Sequence, residues 1–504
     1  MKWPSIAADP CVAACRGVHG GLMKDPASTV RSQVSAVVAL GAALSACCAA
    51  RQAAAAPQSF DDPALAGVGD AADAAELIPA AASGLPPVLS GQEPGARERP
   101  GAEPAAGTAP REWFGGAPWT EWSRATGDWS GARTRLADAG VDFNGSLIAE
   151  WSDVFSGGDA ERSAFRFLLD LNATLDLGAL AGLEGASVYI DFQTADTTMG
   201  GVFHGGFQAY SNIAIDGSIT QLSQLWYEQW LLGDTLRVKA GKVDANTEFA
   251  YIGAAGSFIN ASAGFTPAIF ALPTYPNPAT SVNLFAYPTE GLYVGAGLYD
   301  GAAAVDGVPT GSRGPATFFS DDASDDWFVI GEAGLTADDV GGGLDRGRVA
   351  LGAWWHSGEF ARYDGGTDDG TSGIYALAEA RVWRPDGIEA GSDESDLGVW
   401  AFLQYGWANE DVSAVSQQFG AGAVVRGMIG GREDDAVGIY ASLVELSGDP
   451  AAGFTDDEFS IELFYEYALT PSVTIKPDIQ WFSHPGGGAI DDALVGTLRC
   501  VIAF

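Results

Sequence analysis

Ionisable and amide side chains recur at every second position along much of this chain. In the stretch FRFLLDLNATLDL (165–177), Arg166, Asp170, Asn172, Thr174 and Asp176 alternate with Phe165, Phe167, Leu169, Leu171, Ala173, Leu175 and Leu177. The same spacing sets Glu150, Asp191, Gln193 and Glu228 apart from apolar neighbours, and likewise Arg237, Lys239, Arg381, Arg426 and Gln480. Carboxylates, guanidinium groups and amides sharing one surface can trade hydrogen bonds with hydroxyl groups. Two carboxylates at the right separation can also hydrolyse a glycosidic bond. No pair is singled out for that chemistry. There is no Gly-x-Ser-x-Gly elbow, phosphate loop or zinc His–Glu signature, and His19, His204, His356 and His484 are scattered. A metal site at Cys11, Cys15 and His19 has little to recommend it, and no cofactor is expected.

Period-two alternation is the signature of a strand with one apolar and one polar face. It recurs in about sixteen runs, the first near 143–153 and the last near 492–504. The connections sort by parity. Even-to-odd links such as LLGDTL (231–236) and LTPSV (469–473) are tight, whereas 195–221, 245–280 and 301–325 are long. The link at 384–396 is long on the otherwise short side. A closed antiparallel barrel in an outer membrane has this asymmetry and an even strand number; a soluble sandwich has no reason for it. The fold class expected is therefore all-β, a transmembrane antiparallel barrel of about 16 strands with a short N-terminal helical segment. The apolar side would face lipid. The chain stops on Phe504 inside the last run, as barrels do when they present a terminal aromatic to the assembly machinery.

Composition agrees. A net charge of -39 argues against nucleic acid, and 47% hydrophobic content with 67 glycines suits many strands and tight turns. Residues 23–56 read as a secretory signal peptide, with Lys24 and Arg31 ahead of an apolar run. Residues 1–22 fit no such pattern and read as an upstream extension. Cleavage after the alanines at 53–56 is preferred to lipidation of Cys47 in LSAC (44–47). Residues 57–110, rich in Pro, Ala and Gly, read as a linker, 111–140 as a periplasmic segment with a helix over about 129–139, and 141–504 as the barrel.

Three stretches resemble the carbohydrate-selective outer-membrane porins, the OprB family: ATGDWSGARTRLADAGVDF (125–143), QLWYEQWLLGDTLRVKAGKVDANTEFA (224–250) and EYALTPSVTIKPDIQWFSHPGGGAIDDALVGTLRCVIAF (466–504). The resemblance implies a sixteen-stranded barrel in the bacterial outer membrane that passes mono- and small oligosaccharides. Its strong acidity is a departure, so a general cation-preferring porin stands as the alternative, with a secreted β-fold carbohydrate-active enzyme behind it. In a barrel the alternates become lumen-facing. Arg237, Lys239, Arg381 and Arg426 would then stand opposite Asp170 and Glu228 as an eyelet, or would merely pair along a solvated wall. The segment 245–280 either folds inward with Phe249, Tyr251, Phe258 and Asn260, or caps the outside. The four tryptophans of 113–129 suit a membrane-interface belt. Outer-membrane lipid is the expected surrounding, with a homo-trimer and a monomer both open as the assembly; acidic loop clusters such as SDDASDD (320–326) read as hydrated surface.

Overall fold

The computed structural model describes residues 112–504 apart from 115, 200–201, 216, 302–325, 342–343 and 389–395. The expectations for 1–22, 23–56 and 57–110, Cys47 included, lie outside the described residues. No described helix is long and apolar enough to cross a membrane, which says nothing of strands.

Sixteen strands follow one another: β1 (Val141–Ser156), β2 (Ser163–Asp176), β3 (Ala186–Met199), β4 (Ser218–Leu231), β5 (Leu236–Val243), β6 (Ala279–Thr289), β7 (Leu292–Asp300) and β8 (Trp327–Gly341). The second half comprises β9 (Leu344–Ala361), β10 (Thr367–Trp383), β11 (Gly398–Ala408), β12 (Val415–Arg426), β13 (Ala436–Leu446), β14 (Glu458–Thr470), β15 (Val473–Ser483) and β16 (Ala493–Ala503). Each pairs with its sequence neighbours and β1 pairs antiparallel with β16, so the sheet is closed and has no edge. Closure is what permits strands to exist in lipid, because every ladder N–H and C=O finds a partner within the wall.

Register decides which side chains go where. At the seam Glu150 lies opposite Arg499 and Arg166, whereas the next residue, Trp151, lies opposite Leu498 and Phe165. The first set is fully enclosed and the second is outward and exposed, Trp151 at 47% and Leu498 at 49%. At the seam the polar residues therefore face inward and the apolar ones outward, inverting the arrangement of a soluble core.

The high glycine content has a specific use on the inner wall. Phe285, Tyr293, Tyr375, Phe402 and Phe464 lie directly across from Gly295, Gly334, Gly352, Gly422 and Gly438 on the adjoining strands. A Cβ on Gly334 would sit 2.2 Å from the Tyr293 ring, and one on Gly352 2.0 Å from that of Tyr375. Each aromatic ring thus lies flat over a glycine, so from β6 to β14 the inner wall carries seated rings between its buried polar side chains.

The N-terminal segment packs across the seam. Its helix α1 covers Ala132–Asp138, starting later than the expected 129, because Trp129, Ser130 and Gly131 take positive φ values of 48°, 59° and 79°. Gly140, at φ 92°, ends it as the sequence suggests. Trp122 is buried, donating its indole N–H to Ala117 O at 2.9 Å, so it forms the segment's own core and not part of a belt. Trp119 and Trp129 remain exposed. Arg133 donates through Nη2 to Phe143 O and, at 2.8 Å, to Phe504 O. Backbone bonds from Ala125 N to Ala503 O and from Phe504 N to Gly145 O, both 2.8 Å, complete the clasp.

Candidate functional site

β5 has 8 residues, against 18 in β9, and where it stops the chain turns into the barrel. Asp244 fixes that turn at both ends. Its carboxylate accepts from Asn246 N (2.9 Å), from Thr274 Oγ1 (2.6 Å) and from Tyr275 N (3.0 Å). Between them, 245–273 runs along the inner wall as irregular chain. An irregular buried backbone leaves N–H and C=O groups that must find partners, and inward side chains supply them. Glu332 accepts from Ala250 N (2.9 Å), Glu379 from Ala254 N (2.8 Å), and Glu462 from Ile259 N (2.6 Å) and Asn260 N (2.9 Å). Cations serve the carbonyls: Arg348 donates to Tyr251 O at 2.6 Å and Lys476 to Ser257 O at 2.5 Å. Arg426 donates to Ser257 Oγ at 3.1 Å.

The segment's aromatics bind it to the glycine-backed wall. Phe249 stacks on Phe285 at 5.2 Å, and Phe258 sits among Phe402, Tyr440 and Phe464 at 5.0–5.7 Å. Phe249, Phe258 and Asn260 are buried, so they hold the segment in place; Tyr251 is half-buried. Of the two arrangements open from the sequence, the inward one is the structure's.

A second inserted segment, 202–215, went unmarked in the sequence beyond its length. Glu458 accepts from Phe207 N and Gln208 N, both at 2.8 Å, and Arg499 donates to Asn212 Oδ1 at 2.7 Å. The two segments bond to each other through Asn212 N to Ile259 O and Ala261 N to Ala209 O, both 2.9 Å. Gln480 joins them from the wall, donating to Tyr210 O (3.0 Å) and accepting from Asn260 Nδ2 (3.1 Å). The aromatic, glycine-punctuated FHGGFQAYSNIAI (203–215) was the available signal, since a solvated loop has no use for so many apolar side chains.

The expected eyelet divides. Arg237 and Lys239 form one quartet with Glu228 and Glu248, at 3.3 and 2.5 Å for the arginine and 3.2 and 2.5 Å for the lysine. Burial opposes the charge on Glu248, but the two cations hold its pKa below the usual carboxylate range. Arg381 stands elsewhere, fully buried against Asp345 at 2.8 Å, and Arg426 serves Ser257. Asp170 accepts from Asn172 (3.0 Å) and Gln193 (2.9 Å). Glu150 is clamped between Arg166 and Arg499 at 2.5 Å each, and Asp191 is wholly buried. Alternation predicts which face a residue takes; it carries no information on azimuth or height, and the eyelet needed both.

Beside the quartet lie two stacked aromatic pairs on the inner face of β3, β4 and β6. Tyr189 and Trp226 are 5.0 Å apart with planes 19° from parallel, and Trp230 and Tyr287 are 5.3 Å and 27°. Lys239 Nζ sits 3.9 Å above the Trp226 ring. Tyr189, Trp230 and Tyr287 are each half-buried, so part of each side chain stays accessible.

With this geometry in view, comparison with known proteins is informative. Residues 167–504 match the family model described as carbohydrate-selective porin, OprB family. The high-pH structure of Pseudomonas putida OprB aligns with a TM-score of 0.66 at 19% identity, covering 77% of this chain and 100% of that one. Its low-pH structure gives 0.50 at 18%, covering 76% and 99%. These two likenesses establish the shared fold. The uncharacterized protein alr4550 of Nostoc is 30% identical over 125 residues, a match spanning 23% of this chain and 21% of that protein. Matched by the family model over well more than half its length, and closed into the same sixteen-stranded barrel, the chain belongs to the OprB family of carbohydrate-selective porins of the bacterial outer membrane.

Proposed function

We propose that mono- and small oligosaccharides cross this barrel through the space left between the inserted segments and the β1–β6 side of the wall, sliding over Tyr189, Trp226, Trp230 and Tyr287. The two stacked pairs beside a charged quartet carry this reading. Aromatic faces suit the C–H faces of a pyranose, and Glu228, Arg237 and Lys239 suit its hydroxyls. Binding there must be weak enough for escape.

The charge pattern favours a neutral permeant over a cation. Arg237 and Lys239 are matched by Glu228 and Glu248, Arg348 by Glu332 and Glu379, Arg381 by Asp345, and Arg166 and Arg499 by Glu150. Where its charges pair in this way the wall offers a passing ion little net field, whatever the acidity of the chain as a whole; Asp170 and Asp191 are not paired so. Liposome swelling with a size series of neutral sugars, set against the reversal potential in a salt gradient, tests the proposal. Rapid swelling with small sugars and a reversal potential near zero is expected. A strongly cation-selective potential with slow sugar entry would favour the general porin instead. A variant lacking 254–270 should lose the size cut-off. The exposed apolar wall is read as lipid-facing, and Phe504 as the residue offered to the assembly machinery before the seam closes.

A further inference from the structure

Buried polar atoms without a hydrogen-bond partner are spread over the inner wall, at Asn283, Tyr299, Trp354, Thr371, Gln418 and Asp478 among others, but among the described residues only the group on β3 and β4 includes a carboxylate with both oxygens unpartnered. Asp191 is completely enclosed, yet neither of its carboxylate oxygens receives a hydrogen bond, and it joins none of the ion pairs among the described residues. Its neighbours are the Asp170 carboxylate, the Ser223 hydroxyl and, farther away, Asp244. Ser223 Oγ is buried and unpartnered as well. Two residues along the same face of β3, Gln193 turns its amide N–H to Asp170 and leaves Oε1 buried without a partner. The cation that could have answered Asp191 does something else: Lys242 donates to Gln221 Oε1 at 3.2 Å and to Leu222 O at 2.9 Å.

Every orphan in this group is an oxygen. The charge of Lys242 acts on Asp191 without forming an ion pair; a carboxylate buried with so little compensation is unfavourable in the way a broken buried ion pair is, so something must offset it. A permeating sugar cannot, because the orphaned oxygens are closed to solvent. A dehydrated cation can. Two carboxylates, an amide oxygen and a hydroxyl are hard donors of the kind that hold calcium at about 2.3–2.6 Å, and the two negative charges match a divalent ion.

We infer that Asp191, Asp170, Ser223 and Gln193 hold a hard divalent cation, calcium by donor type, as a structural ion within the β2–β4 wall. It pins the bulge where Asp191 pairs with Gln224 and Phe192 with Leu222, and so fixes the strand that carries Trp226 and Trp230. The inference does not depend on which solute the barrel passes.

The test uses the full-length protein, purified in detergent and stripped with a chelator. Terbium is the probe, excited through Trp226 and Tyr189 and displaced by calcium. Wild type should show a saturable, calcium-displaceable emission, and calcium should raise its thermal midpoint. Asp191→Asn should weaken terbium binding by at least about tenfold, the scale on which loss of a metal-site group is felt, and should abolish the calcium-dependent midpoint shift. Ser223→Ala, a milder change, should weaken it by a smaller factor; it decides the matter if Asp191→Asn does not fold. Trp226→Phe should dim the emission without altering affinity. Wild-type affinity in Asp191→Asn or Ser223→Ala would assign the ion to the acidic loops and overturn the inference. So would the absence of any displaceable emission from wild type.

Discussion

The two halves of the inner wall solve opposite problems. From β6 to β14 aromatic rings lie over glycines, and the glutamates among them reach inward to hold backbone N–H groups of 245–273. From β1 to β5 part of the wall is covered by 202–215, and the rest presents carboxylates and the half-buried Tyr189 and Trp230. The first half behaves like the core of a soluble protein, closed against its own inserted chain; the second behaves like a binding surface. A barrel this wide leaves an aqueous channel unless something fills it, and here one half is filled so that the other can be narrow. Selectivity on this view is built by packing on the side the solute never touches.

Breaking the packed half should have the larger consequences. Glu462→Ala removes the acceptor for two buried N–H groups at once, Ile259 and Asn260. Unanswered buried donors to a charged acceptor cost about 4 kcal/mol for the pair. The inserted segment should loosen, the size cut-off in liposome swelling should rise, and an unchanged cut-off would show that the segment does not set it. Acid should act next, through the second segment. His204 is buried with Nε2 on Gln208 O, and burial lowers its pKa from 6.5 to about 4. The folded state therefore favours the neutral ring, so this contribution is complete above pH 6.5 and declines as pH falls from there towards 4. The full loss is about 3 kcal/mol. Proteolytic sensitivity of 202–215 should rise over that window in wild type and stay flat in His204→Gln.

Gly334→Ala should follow, at about 2 kcal/mol, since the new methyl displaces Tyr293 from its flat seat and with it the bond to Glu332. A wild-type thermal midpoint in that variant would mean the rings are not seated as described. The smallest effect belongs to the open half. Trp230→Ala removes one partner of a stacked pair and the indole donor to Glu228 at 3.0 Å, so sugar entry should slow by a factor of a few relative to salt while the barrel still assembles. Equal slowing of both would point to a changed diameter and remove the aromatic track from the mechanism.

The strands were legible because their signal is local. Alternation within ten residues fixes a face, and the expected last run at 492–504 differs from β16 by one residue at each end. The inserted segments were not legible in the same way. Phe249 and Phe258 have apolar character wherever they lie, and only the rings at Phe285, Phe402 and Phe464, contributed from β6, β11 and β14, make the inward position favourable. The quartet of Arg237, Lys239, Glu228 and Glu248 was half visible: three members follow from alternation on β4 and β5, while Glu248 comes from the inserted chain and was not named. Arg381 was placed correctly by face and wrongly by company, because its partner Asp345 lies on a neighbouring strand near the turn.

Arg133 touches both Phe143 on β1 and Phe504 just past β16. One guanidinium can reach both carbonyls only when the first and sixteenth strands already lie side by side. It therefore acts as a latch and not as a guide: it adds nothing to the search for the correct pairing and slows the reopening of a seam that has formed.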